Sequence, residues 1–152
     1  PSLTSYDPYA NPAVCAASGI ELVDLDKLMA AADFISLHAR LTDQNRHLIN
    51  AERLALMKPT AYLINTSRAG LIDEAALVEV LRAKRIAGAA LDVYEHEPLQ
   101  TGDPLLTLDN VTLTPHMAGG SNDAFYNTPA LLRSRMESWF ARYDNPMEPY
   151  PR

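Results

Sequence analysis

Short apolar runs alternate along the chain with stretches of helical periodicity, and this alternation predicts βαβ units around a parallel sheet, the α/β class. Residues 2–6 read as a first strand, followed by a turn rich in Pro and Asn, and 21–23 as a short extended segment. Asp24 is placed to cap a helix over 25–32 with Leu25, Leu28 and Met29 on one face. Residues 33–38 form the next strand. Asn50 is placed to cap a helix over 51–57 that Lys58-Pro59 ends, and 61–65 follows as a strand. From 73 to 84 the period is helical, with Leu77, Val80 and Leu81 as the apolar stripe. Asp73 and Glu74 open that helix and Arg82, Lys84 and Arg85 close it, the order the helix dipole favours. A nearly continuous apolar run over 86–93 has the character of a buried strand, and 111–113 forms a last short one. Thr128-Pro129 reads as a cap plus first-turn proline, opening a helix with Leu132, Met136, Trp139 and Tyr143 on one side. A proline-rich tail occupies 144–152.

Composition narrows the partners. The 152 residues suffice for one domain with a sizeable core, and 47% hydrophobic with 21% charged residues is ordinary for a globular protein. No apolar run is long enough to span a bilayer. The first ten residues hold no basic region followed by an apolar stretch, so no signal peptide is read in them. The opening at Pro1, straight into a strand, reads as the middle of a fold. One cysteine, Cys15, permits neither an intramolecular disulfide nor a Cys-based metal centre; no metal site is expected, and a reducing, cytoplasmic setting is. The net charge of −6 and the lack of a basic cluster argue against nucleic acid and anionic membrane surfaces as partners.

Ligands of open parallel sheets bind at the carboxyl ends of the strands. The predicted strands end in Asp7, His38, the run Asn65-Thr66-Ser67-Arg68, Asp92 with Glu95-His96-Glu97 just beyond, and Thr114-Pro115-His116. Five strands thus deliver carboxylates, imidazoles and a guanidinium to one edge, which implies a bound polar ligand. Asp7 suits the ribose hydroxyls of NAD and would repel the extra phosphate of NADP; an Asp-Pro turn explains it equally well. The matching phosphate-binding glycine motif belongs about 20 residues earlier. The six glycines, at 19, 70, 88, 102, 119 and 120, form no GxGxxG. Either the motif lies upstream or the chain binds no dinucleotide.

Four segments then occur in order: VDLDKLMAAADFISLHARLT at 23–42, LINTSRAGLIDE at 63–74, AGAALDVYEHEPL at 87–99 and LTPHMAGG at 113–120. Together they closely resemble the D-isomer-specific 2-hydroxyacid dehydrogenases, over a stretch from about Tyr6 to Gly120. The resemblance implies a Rossmann-type, doubly wound parallel sheet, truncated here because its first strand and glycine loop are absent. Residues 1–120 would be the C-terminal part of the NAD-binding domain, and 121–152 a helix and tail returning to a substrate domain. It implies hydride transfer between NAD(H) and a small D-2-hydroxy acid or 2-keto acid. Arg68 corresponds to the family arginine that holds the substrate carboxylate and reacting oxygen, Glu97 to the glutamate before Pro, and His116 to the histidine of Thr-Pro-His. Their chemistry is coherent: a planar donor fork grips a carboxylate, and a carboxylate-paired imidazole titrating near neutrality moves the proton. Asp92 corresponds to the aspartate that contacts the nicotinamide amide, and is also explained as a buried strand-end residue. Thr66, Ser67, Ala118 and Gly119 line the same pocket, and His38 ends a strand near the cofactor. His38, His47 and His96 compete with His116 for the proton-transfer role; His47 lies in a polar turn, and His96 is an exposed neighbour of Glu97. Family members pair through the cofactor domain, which implies a homodimer and a use for the stripe Leu132, Met136, Trp139, Tyr143.

Three departures stand out. Arg40 replaces a usual Pro, Ala69 replaces a common Gly, and the strand at the centre of the 3-2-1-4-5-6 order is missing, so that the two halves of the sheet should not pair. The isolated chain is then expected neither to fold conventionally nor to bind NAD tightly. A dehydrogenase-like NAD-sensing or protein-binding module, as in the related corepressors, and an inactive fragment remain open alternatives. The particular 2-hydroxy acid is not legible, because the missing domain builds most of the selecting pocket.

Overall fold

The computed structural model of the chain describes residues 2–141. Its elements are β1 Leu3–Ser5, α1 Pro12–Ala17, β2 Ile20–Leu22, α2 Leu25–Ala31, β3 Phe34–Leu37, α3 Ala51–Leu56, β4 Tyr62–Asn65, α4 Glu74–Arg82, β5 Gly88–Leu91, β6 Val111–Leu113 and α5 Asn122–Phe140. All strand pairings are parallel, in two separate sheets ordered β1-β2 and β3-β4-β5-β6. The expected failure of the two halves to pair is therefore observed. The chain divides into two compact units at His116/Met117.

Local chemistry accounts for the elements. Asn50 accepts the N–H of Arg53 and Asp73 that of Ala76, so both predicted caps form. Asp24 takes the N-cap position of α2, but its side chain makes no capping hydrogen bond. Residues 12–17, read in sequence as part of a turn, form α1. The signal was there: Asn11 accepts the N–H groups of Ala13 and Val14, with Pro12 in the first turn.

The core lies between one face of the four-stranded sheet and helices α2, α3 and α4. Strand residues at period two, Ile35, Leu37, Leu63, Ala89 and Leu91, are buried with Met29, Leu54, Leu77 and Leu81 from the helices. On the opposite face Phe34 and Tyr62 are cross-strand partners whose rings stack at 5.6 Å and remain exposed. Gly88 is required where β5 meets its neighbours: a Cβ there would lie 2.6 Å from the Asn110 carbonyl oxygen and 3.1 Å from the Tyr62 ring.

The second unit corrects one expectation. Its helix α5 begins at Asn122, capped by Ser121 Oγ accepting the Ala124 N–H, and Pro129 lies inside it rather than in its first turn. Phe125 stands seven residues before Leu132 on the same helix face, so the apolar stripe itself reaches back past Thr128, and Ser121 supplies the cap. Phe125, Leu132, Met136 and Trp139 are exposed. Tyr143 and the tail 144–152 lie outside the described residues. Among the described residues no helix is long and apolar enough to cross a membrane.

Candidate active site

The carboxyl ends of β3 to β6 are joined sideways, and this joining sets the predicted residues in place. Ser67 Oγ donates to the Leu37 carbonyl at 2.6 Å, tying the loop after β4 to the end of β3. The Asp92 N–H donates to Asn65 O and the Thr114 N–H to Leu91 O, continuing the ladders past the strand ends. Thr114 Oγ1 donates to Asp92 Oδ1, and Tyr94 Oη lies 2.9 Å from Leu91 O and 2.7 Å from Thr114 O, its one proton shared between them. Burial, first of all, pushes the Tyr94 phenol above its ordinary range, which keeps that proton in place.

Asn65 shapes the arginine loop. It is almost fully buried; its Nδ2 donates to the Arg68 carbonyl at 2.9 Å and its Oδ1 accepts the Ser67 N–H at 3.0 Å. A polar residue at the core-facing position after Leu63 is the sequence signal for such a clamp. Arg68 emerges exposed, with Nη1 donating to Ser67 O at 2.6 Å, and it makes no ion pair with a carboxylate among the described residues.

Across the edge, His116 Nδ1 and Glu97 Oε2 are 2.7 Å apart, while Glu97 Oε1 accepts the Tyr94 N–H at 3.0 Å. Both carboxylate oxygens are engaged. The His116 hydrogen bond chiefly, and the Tyr94 N–H after it, hold the Glu97 carboxyl below its ordinary range. His116 adopts φ 54°, a left-handed conformation uncommon for a side-chain-bearing residue, and its N–H donates to Thr114 O. Glu97 engages the ring through Nδ1, and Nε2 has no hydrogen-bond partner among the described residues. A cavity of about 460 Å³ adjoins the pair, with Tyr94, Pro98, Leu99, Leu113 and Pro115 in its wall.

The remaining predicted residues are less closely joined. Asp92 is buried against Thr114, the role expected of a strand-end residue. His38 Nε2 lies 2.9 Å from Ser36 Oγ, and Thr66 is exposed. Asp7 follows β1, in the other sheet, where its Oδ1 accepts the Tyr9 N–H at 2.8 Å; Oδ2 is left as an acceptor. Ala118 and Gly119 fall in the second unit. His47 is joined to Glu95, with Nε2 3.7 Å from Oε1, and not to the Glu97–His116 pair. Asn45 closes the loop bearing Arg40, accepting the Thr42 N–H and donating to the Arg40 carbonyl, so the loop holds its shape without the usual proline. Ala69 opens a 3-10 turn without a positive φ. Sequence reasoning did not single out Asn65, Tyr94 or Thr114 for their structural roles, though each lies within a quoted motif. Among the described residues no three His, Cys, Asp or Glu side chains are gathered for a metal ion.

The fold and the site define a dinucleotide-type α/β domain carrying a carboxylate–imidazole pair and an arginine on one sheet edge. Residues 2–118 match the family described as D-isomer specific 2-hydroxyacid dehydrogenase, NAD binding domain, and the chain belongs to that family. It is 48% identical over 124 residues to D-3-phosphoglycerate dehydrogenase of Methanocaldococcus jannaschii, covering 81% of this chain and 24% of that protein. To glyoxylate reductase of Korarchaeum cryptofilum it is 46% identical, covering 81% of this chain and 35% of the relative. Among solved structures, the acyclic imino acid reductase Bsp5 in complex with NADPH and D-Arg superposes with a TM-score of 0.80 at 36% identity, over 93% of this chain and 44% of that one. An NAD-complexed D-isomer-specific 2-hydroxyacid dehydrogenase from Lactobacillus delbrueckii gives 0.79 at 29% identity, over 95% and 46%. The chain spans about a quarter to a third of the length of the curated relatives it matches.

Proposed function

We propose that the full-length protein interconverts a small D-2-hydroxy acid and its 2-keto acid with NAD(H), and that the 2.7 Å Glu97–His116 contact on the same edge as Arg68 is the observation that carries this reading. NAD(H), when bound, supplies or receives the hydride at the substrate carbon. The chain's own residues do the rest. Arg68, held from below by Asn65, takes the substrate carboxylate and reacting oxygen in its donor fork. His116 gives a proton from Nε2 to that oxygen in reduction and takes it back in oxidation, while Glu97 holds the ring through Nδ1.

Asp7, His38, Thr66, Ser67, Asp92, Ala118 and Gly119 are the residues assigned to the cofactor. The acceptor left on Asp7 fits ribose hydroxyls, and the buried, donor-bonded Asp92 fits a fixed carboxylate beside a nicotinamide amide. The phosphates find no glycine-rich loop in this chain. Residues 1–120 are assigned to the NAD-binding domain and 121–152 to the segment returning to the substrate domain. The exposed apolar side chains of α5 support a homodimer, and a single cysteine supports a cytoplasmic location.

The test is NADH oxidation by the full-length protein against a panel of 2-keto acids, with the configuration of the product determined. Reduction of at least one to the D-hydroxy acid is expected. Tight NADH binding with no turnover on any of them would replace the enzyme with the NAD-sensing module.

A further inference from the structure

Glu74 is the first residue of α4 and its carboxylate is half-buried. Its base is firmly held: Leu71 and Ile72 before it are buried, the Asp73 N–H donates to Ile49 O at 3.0 Å, and Asp73 Oδ1 caps the helix. From there Glu74 Oε2 accepts the N–H of Glu95 at 3.3 Å. Burial above all, with Asp103 and Glu95 as negative neighbours, pushes the carboxyl above its ordinary range, against the opposing pull of the Glu95 N–H and of His96. The group this carboxylate binds is the backbone of the loop that carries Glu97.

That loop is short and otherwise exposed. Val93 and Tyr94 are buried at its start, Glu95 to Pro98 are exposed, and Glu97 must reach both the Tyr94 N–H and His116 Nδ1. The Glu95 N–H lies midway between buried start and catalytic carboxylate. Its hydrogen bond joins the loop to α4, and the Glu95 side chain reaches the His47 imidazole, with Oε1 3.7 Å from Nε2.

We propose that Glu74 is a positioning residue for the catalytic pair: by accepting the Glu95 N–H it ties the loop to α4 and keeps Glu97 in reach of His116. The kinetic consequences rest on the dehydrogenase reading; the tether does not. Two variants separate reach from charge. Glu74→Asp keeps the negative charge at the start of the helix but withdraws the acceptor by one methylene; Glu74→Gln keeps the reach and an acceptor oxygen without the charge.

Hydrogen–deuterium exchange on the full-length protein reads the tether directly. Glu74→Asp should speed exchange at the Glu95 amide, and at the Tyr94 amide that Glu97 protects, by about tenfold, the scale of one net hydrogen bond, while Glu74→Gln leaves both near the parent rates. In turnover, Glu74→Asp should lower kcat for keto-acid reduction by about tenfold with little change in KM, and shift the alkaline limb of the pH–rate profile to lower pH; Glu74→Gln should restore both. Unchanged exchange at Glu95 and Tyr94 in Glu74→Asp overturns the proposal. So does faster exchange with kcat and the pH profile unmoved, because the contact would then be structural only. A parent protein inactive on every keto acid would remove the dehydrogenase reading alone, and the Tyr94 and Glu95 exchange rates would still decide for or against the tether.

Discussion

The four-stranded sheet and the two-stranded one are built on the same parallel plan and differ sharply in what they bury. Beneath β3 to β6, Leu63, Leu77, Leu81 and Ile86 have at most 1% of their surface exposed. β1 and β2 contribute no fully buried residue, Leu3 is 63% exposed, and α1 buries none. Two strands and one short helix do not bury enough apolar surface to stand alone. The consequence is functional. Arg68, Glu97 and His116 rise from the half with a core and with its strand ends tied together, whereas Asp7 stands on the half without one. Both β1 and β3 have a single neighbour, so each presents an unpaired edge where the central strand of the 3-2-1-4-5-6 order would lie.

Substitutions can break or sharpen this contrast. The largest effect belongs to the well-supported half: His116→Ala in the full-length protein should lower kcat by roughly 10²–10⁴-fold with NADH affinity largely kept, measured by steady-state turnover and NADH fluorescence titration. If NADH affinity fell equally, His116 would be a cofactor residue and not the proton donor. Next comes Arg68→Ala, which should raise KM and lower kcat together, costing kcat/KM about 10–100-fold, the scale of charge-assisted hydrogen bonds lost from both the bound substrate and the transition state. A change in KM alone would limit Arg68 to substrate binding.

Stability should divide in the same way. Leu81→Ala, at a fully buried position, is expected to cost about 2–5 kcal/mol in urea unfolding, while Leu3→Ala on the exposed strand should stay within about 0.5 kcal/mol. Equal losses would mean that β1 is packed in the full-length protein against elements beyond this chain. For the cofactor half, kcat/KM should favour NADH over NADPH, and Asp7→Ala should narrow that ratio by about tenfold through loss of a carboxylate that repels the 2′-phosphate. A parent enzyme that prefers NADPH would remove Asp7 from the ribose site.

The smallest effect is a displacement along the pH axis. Because Glu97 titrates below its ordinary value of 4.5, the stabilising contact with His116 is fully present above that value and is lost only as pH falls through the lowered one. Glu97→Gln removes the negative charge 2.7 Å from the His116 ring, so keto-acid reduction should fail at a lower pH than in the parent as alkali is added. An unmoved alkaline limb would make Glu95, paired with His47, the next partner to try.

Much of this was readable residue by residue. Short apolar runs and helical patterns placed β3 to β6 and α2 to α4 within a residue or two, because each element packs apolar residues of its own into the core and the Asn50 and Asp73 caps lie next to their helices. The resemblance carried Arg68, Glu97 and His116, and the structure brings two of them into contact. Less was visible where no face is buried: among the described residues α1 and α5 bury none of their own, so both starts had to be read from Asn11 and Ser121 and were not.

Local order and the polar character of the groups at the strand ends were thus determined by sequence, since hydrophobic period, cap residues and strand-end polar runs act over a few positions. The tertiary structure alone decided how those groups are held. Asn65 reaching back to the Arg68 carbonyl is local in sequence, but Ser67 on Leu37, Thr114 on Asp92, Tyr94 on Thr114 and the Glu95 N–H on Glu74 join residues about twenty to thirty positions apart. No periodicity marks such pairs, because they exist only after parallel pairing has aligned the strand ends, and parallel strands meet only after a helix has intervened.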